Sequence, residues 1–220
     1  CSNRTQCPRV GARFGQAEPH RLAVMTVGPH PQPWPDDPRL DPELLAAGDT
    51  RNVEDRFRYW RREAIIAELD RSRHRLHVAI ENFQHDFNIG SVVRTANAFN
   101  VAGVHIIGKR RWNRRGAMVT DRYQHVQHHP LPTDLLSLGL PLIGIDNVPG
   151  SIALEGAALP QACIMVFGQE GPGLSPESLD LCQTVLHITQ FGSTRSINAG
   201  AAAAIAMWAW ALQWAPPDRA

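Results

Sequence analysis

Lysine is almost missing from this chain: Lys109 is the one lysine among 22 basic residues, and the rest are arginines. With 21 acidic residues opposing them, the formal net charge is +1, which excludes a polybasic or strongly acidic protein and leaves any nucleic-acid contact to local patches. Cysteine is scarce as well. Cys1, Cys7, Cys163 and Cys182 show no C-x-x-C spacing, and the last two lie among apolar residues, so the expectation is reduced thiols and a cytoplasmic protein. No apolar run reaches the roughly 18 residues of a membrane span, the longest being Ala199 to Leu212. No charged segment followed by an apolar one opens the chain, so no secretory signal is expected. Histidine is plentiful, but His74, His77, His128 and His129 lack the spacing and companion ligands of a zinc site, and no metal is expected.

Proline is concentrated near the start. Residues 1–48, with "GPHPQPWPDDP", hold no sustained hydrophobic period and read as an irregular extension. Residues 49–75 read as an Arg-rich amphipathic helix, capped by Asn52 followed by Asp55 and running from about Val53 to Ser72, with Arg56, Arg58, Arg61 and Arg62 on its solvated face. Residues 76–215 form the main domain. There "LHVAIEN", "GVHIIG", "PLIGID", "ACIMVFG" and "TVLHIT" are short apolar strands, and helices are expected at "IGSVVRTANAFN" and around Thr133 to Leu138, Pro176 to Cys182 and Ser196 to Trp214. Strands alternating with helices predict an α/β fold, a parallel sheet with helices on both faces.

Three stretches carry chemistry. "IMVFGQEGPGLS" leads a strand into a glycine-rich loop, yet it is not a phosphate cradle of either familiar kind. A Walker loop needs G-K-[ST], whereas Gly108-Lys109 is followed by Arg, and a Rossmann loop needs a third glycine where Pro176 stands. The loop's only charge is Glu170, which repels phosphates and suits a cationic ligand such as the S-adenosylmethionine sulfonium. "NIGSVVRTA" places Asn88 at a helix start as a cap, with Gly90 in the first turn and Arg94 one to two turns on. "ITQFGSTRSINAGAAAAIAMW" joins a strand end to a helix of small residues. That helix's Ile205, Met207, Trp208, Trp210 and Leu212 spread over more than one face, as in a helix buried in the core or in a subunit interface.

In this order the three stretches resemble the SpoU-type RNA ribose 2'-O-methyltransferases of the SPOUT superfamily. Asn88, Gly90 and Arg94 match N-x-G-x-x-x-R, and Gly168, Glu170, Gly171, Gly173 and Leu174 match G-x-E-G-x-G-L. Ile188, Gly192, Ser196 and Asn198 match the third motif, with Thr189 in place of its Pro and Ile197 in place of its Leu. The resemblance implies a deep C-terminal trefoil knot, a homodimer, S-adenosylmethionine as methyl donor and structured tRNA or rRNA as substrate. It implies catalytic roles for Arg94, Asn88, Glu170, Ser196 and Asn198. It also implies a donor pocket lined by Ile145, Asp146, Gly168, Glu170, Gly171, Ile188, Gln190, Ser196 and Ile197. Glu170 is expected to orient Arg94, to offset the sulfonium charge or to tie down its own loop. Base methylation, as in other SPOUT enzymes, and RNA binding with a decayed catalytic site are the alternatives.

"KRRWNRR" supplies a grip for RNA. Lys109, Arg110, Arg111, Arg114 and Arg115 offer cations to phosphates, and Trp112 offers a ring to an unpaired base. Arg195 is a lesser candidate.

Overall fold

The computed structural model describes residues 26–83 and 88–215. They fall into two compact units that divide after Arg61. The part of the Pro-rich extension before residue 26 lies outside the described residues, as do Cys1 and Cys7.

The first unit is more ordered than its composition predicts. Asp41 caps α1 (Pro42–Ala47) through the Glu43 amide, and Val27 pairs with Asp49. Asp49 is fully buried. Burial alone would raise its carboxyl, but bonds from the Arg51 guanidinium and from the Arg51 and Tyr59 amides hold it at about 2. These ties also correct the predicted helix over 53–72. Tyr59 has φ 61, Trp60 bridges Leu40, and the Arg58 guanidinium bonds the Arg51 carbonyl. The backbone is therefore committed elsewhere through residue 60. Only a three-residue 3-10 turn, Asp55–Phe57, forms before α2 (Arg62–Asp70), so Arg56, Arg58, Arg61 and Arg62 do not share a helix face.

The second unit begins at α2 and is built on β1 (His74–Asn82), α3 (Ile89–Ala98), β2 (Val101–Gly108), β3 (Val126–His129), β4 (Leu142–Ile145), β5 (Ile152–Ala153), β6 (Cys163–Phe167), α4 (Pro176–Leu181), β7 (Thr184–His187) and α5 (Ala199–Trp214). The seven strands make one wholly parallel sheet in the order β3-β2-β1-β6-β4-β7-β5. The five apolar strands stand where the sequence placed them. The stretch around Thr133 to Leu138 is a 3-10 helix, Pro132–Leu138, and not an α-helix.

Side chains alternate across the sheet. Leu76, Val78 and Ile80 of β1 face the main core with α3 and α5, while Ala79 faces a smaller core beneath α4 and the 3-10 helix. Cys163 and Cys182 are half-buried or deeper, and burial pushes both thiols up to about 12. On the smaller core's side three imidazoles form a diagonal chain over β1, β2 and β3. His77 Nδ1 lies 2.9 Å from His105 Nε2, and His105 Nδ1 lies 2.8 Å from His129 Nε2. Burial, then the neighbouring His77 and His129, push His105 down to about 3. Among the described residues no cluster has the make-up of a metal site.

Candidate functional site

The C-terminal ends of β4, β6 and β7 converge on a cavity of about 540 Å³, a size usual for small-molecule sites and a place where parallel sheets usually bind ligands. Every residue expected in the donor pocket, from Ile145 and Asp146 through Gly168, Glu170 and Gly171 to Ile188, Gln190, Ser196 and Ile197, lines this one cavity.

The glycine loop closes on itself. Gln169 and Gly173 exchange backbone hydrogen bonds of 3.0 and 3.1 Å, and Gly168 lies so flat on the backbone of Gly173 and Leu174 that no Cβ fits. Asp146 braces the same turn: its carboxylate accepts from the Leu174 amide at 2.7 Å and from the Asn147 amide at 2.7 Å. Its charge thus lines the cavity while fixing the loop.

A chain of side-chain amides joins the three motifs. Asn88 Nδ2 donates to Glu170 Oε2 at 3.0 Å, Asn198 Nδ2 donates to Asn88 Oδ1 at 2.8 Å, and Asn198 Oδ1 caps α5 by accepting from the Gly200 and Ala201 amides. Asn88 therefore does not cap α3 with its side chain, because both of its polar atoms are engaged with distant partners. Nor does Glu170 orient Arg94: its partner is Asn88.

Arg94 is exposed, lies outside the cavity lining, and makes no hydrogen bond or ion pair with another described residue. The ordinary surface salt bridge is thus absent among those residues. Ser91, three positions earlier and on the same helix face, sits against the start of α5, where a Cβ on Gly200 would stand 3.2 Å from its own Cβ. Arg94 follows on that side, about one turn along the helix.

The Arg-rich loop packs backbone to backbone on the start of α3. A Cβ on Gly90 would meet Gly116 Cα and Ala117 N at 2.8 Å, which explains the glycine in the first motif. Lys109, Arg110, Arg111, Arg114 and Arg115 are exposed, whereas Trp112 is half-buried against the main core with the Arg114 guanidinium 5.4 Å from its ring centre. Stacking of a base on Trp112 would require Arg114 to move from the ring and from Asp121 at 3.2 Å. Arg195 belongs to the cavity: it is the only cation among the described lining residues, which also carry the anions Asp146 and Glu170.

Sequence reasoning missed Gln169. Its Oε1 and that of Gln190 are buried without a hydrogen-bond partner among the described residues, and both residues line the cavity. Two amide oxygens, two carboxylates and one guanidinium form a lining that fits an amino-bearing cation with a carboxylate of its own.

The SpoU rRNA methylase family model matches residues 75–208, which spans every motif residue above. The chain belongs to this family. Among the relatives of this SpoU protein, a Mycolicibacterium smegmatis protein named an uncharacterized tRNA/rRNA methyltransferase is 31% identical over 141 residues, covering 59% of this chain and 44% of the relative. A Synechocystis protein of the same designation is 27% identical over 161 residues, covering 69% and 42%. The chain thus spans less than half the length of these curated relatives. Among solved structures, the A. aeolicus TrmH/SpoU tRNA modifying enzyme superposes with a TM-score of 0.61 at 19% identity, covering 69% of this chain and 81% of that one. The SpoU methyltransferase AviRb of Streptomyces viridochromogenes, solved in complex with AdoMet, gives 0.58 at 22% identity, covering 66% and 60%. These two likenesses concern the fold.

Proposed function

We propose that the protein is an S-adenosylmethionine-dependent methyltransferase acting on a ribose 2'-OH of structured tRNA or rRNA. The observation that carries this reading is the hydrogen-bonded run Glu170, Asn88, Asn198 along the rim of the cavity, with the exposed Arg94 on the adjoining helix. The names of the curated relatives support an RNA substrate, and a solved neighbour described as an RNA 2'-O ribose methyltransferase supports the ribose assignment.

When bound, the cofactor supplies an electrophilic methyl group on a sulfonium sulfur. Gln169 and Gln190 offer acceptors to its amino groups, Asp146 and Glu170 offset its positive charge, and Arg195 pairs with its carboxylate. Gly168 and Gly173 carry no side chain that would strike the loop backbone or the Asp146 carboxylate, and the space beside Gly171 is open to the ligand. Arg94 holds the ribose hydroxyl and the adjoining phosphate through its fork of donors. A guanidinium is a poor base, so the phosphate beside it shares the hydroxyl proton while Arg94 fixes both groups. Asn88 and Asn198 keep the α3 and α5 starts in register with Glu170, and Ser196 presents a hydroxyl to the cavity.

Lys109 to Arg115 grips the RNA backbone. The exposed α5 stripe of Ile205, Trp208 and Leu212, 42, 56 and 67% exposed, is the face of a homodimer, and the strands around β6 and β7 are threaded into the family's trefoil knot. A cytoplasmic location accords with the free thiols of Cys163 and Cys182 and with an RNA substrate. No helix among the described residues is long and apolar enough to cross a membrane.

The test is methyl transfer from labelled S-adenosylmethionine to tRNA and rRNA, followed by nucleoside mapping. A 2'-O-methylated nucleoside is expected, with Arg94→Ala abolishing transfer while donor affinity stays within about threefold. Label found only on a base would overturn the ribose assignment.

A further inference from the structure

Two adjacent polar residues end β1, and both are nearly inaccessible: Glu81 and Asn82 are each 1% exposed. The alternation of a strand sends their side chains to opposite faces of the sheet. On the α4 side, Glu81 accepts from the Ser175 amide at 3.0 Å and from the Ser175 and Ser178 hydroxyls at 2.5 and 2.6 Å. These serines lie at the exit of the glycine loop and in the first turn of α4. On the other face, Asn82 Nδ2 donates to the Lys109 and Arg111 carbonyls at 2.7 and 2.9 Å, while the Asn82 backbone carbonyl accepts from the Lys109 amide at 2.8 Å. A buried carboxyl and a buried amide are costly unless partnered, and here the side-chain partners lie in the two loops or, at Ser178, in the first turn of the helix that follows one of them.

We propose that Glu81 and Asn82 are positioning residues for two separate tasks: Glu81 sets the donor loop and Asn82 sets the Arg-rich loop that grips RNA. This rests on the methyltransferase reading given above. Neither side chain lines the cavity, so each acts through the loop it holds. Sitting on one strand end, the pair also fixes the spacing between the two loops, and hence between donor and ribose.

The experiment is a double dissociation with the full chain. Donor affinity is measured by calorimetry with S-adenosylmethionine, RNA affinity by filter binding with unfractionated tRNA and rRNA, and loop order by hydrogen exchange of peptides over 168–176 and 108–116. Glu81→Gln should weaken donor binding about tenfold and speed exchange over 168–176, with RNA affinity and 108–116 unchanged. Asn82→Ala should weaken RNA binding about tenfold and loosen 108–116, with donor affinity unchanged. Should Glu81→Gln fail to fold, Ser178→Ala, which removes one of the same bonds, should shift donor affinity in the same direction. Equal losses of both affinities in both variants, in step with a fall in melting temperature, would reduce the pair to general core residues and overturn the proposal. Unaltered exchange in both loops would do the same. A wild-type chain that binds no S-adenosylmethionine would instead overturn the methyltransferase reading on which the proposal stands.

Discussion

Acid should unfold this protein through its histidine chain before its carboxylates matter. His105 is 1% exposed and wedged between His77 and His129, and burial followed by those neighbours pushes its pKa from the ordinary 6.5 to about 3. The folded state therefore keeps His105 neutral, whereas an unfolded chain takes up a proton below 6.5. The contribution of this site to stability is complete above that value and is lost progressively as pH falls toward 3. The slope is about 1.4 kcal/mol per pH unit below 6.5, so lowering the pH from 7 to 5 costs about 2 kcal/mol from His105 alone. His77 and His129 are displaced downward as well, chiefly by burial, and act in the same direction, partly offset at His129 by Asp134. Urea denaturation at half-unit steps between pH 7 and 5 reads the slope directly, in a range where ordinary carboxylates stay ionised. His105→Gln should remove about one proton's worth of it. A midpoint that does not move with pH, or a variant that keeps the full slope, would refute the account of His105 as a buried neutral imidazole.

Two further predictions concern the rim of the cavity. Gly90→Ala brings a Cβ to 2.8 Å from the backbone of Gly116 and Ala117, which cannot swing aside as a side chain would, so a loss of about 1 to 3 kcal/mol is expected in urea denaturation. A neutral result would mean that the turn after the Arg-rich loop does not pack on α3. Asn198→Asp keeps the oxygen that caps α5 but loses the donor to Asn88, so melting temperature should stay near wild type while methyl transfer falls. Full activity in that variant would detach the Asn88 contact from function.

What the sequence made legible follows from physical range. β1, β2, β4, β6 and β7 are apolar runs bounded by turn residues, and for β1, β2, β4 and β6 burial on both faces is written in the run itself, whereas β7 buries only Leu186. β3 reads "VQHH" and β5 is two residues long, so neither has a pattern to find; neighbouring strands make them strands. The cavity residues were legible because motif spacing fixes them along the chain. The contacts that organise them were not: Asn88 reaches partners 82 and 110 positions away, and local propensity assigned it to the nearest helix start instead. Glu81 and Asn82 did leave a signal, a polar pair closing an apolar strand, whose meaning depends on loops far along the chain. The helix drawn through residues 53–60 failed for the same reason, since its hydrogen bonds go to Arg51, Asp49 and Leu40.

The glycine loop's lack of lysine has a structural counterpart in its backbone. A phosphate cradle works by turning successive amides toward the ligand. Between Gln169 and Ser175 those amides are turned inward: Gln169 and Gly173 bond each other's carbonyls, Leu174 bonds Asp146, Ser175 bonds Glu81, and Pro172 has none to offer. Only Glu170 and Gly171 retain amides without a partner among the described residues. Two donors beside the Glu170 and Asp146 carboxylates do not make an anion site. Adding a lysine at the position of the Walker lysine would not create one either, because the donors it works with are already engaged. The loop is instead a rigid wall, closed on itself and pinned from β1 and β4, with open space beside Gly171 for a ligand that brings no phosphate.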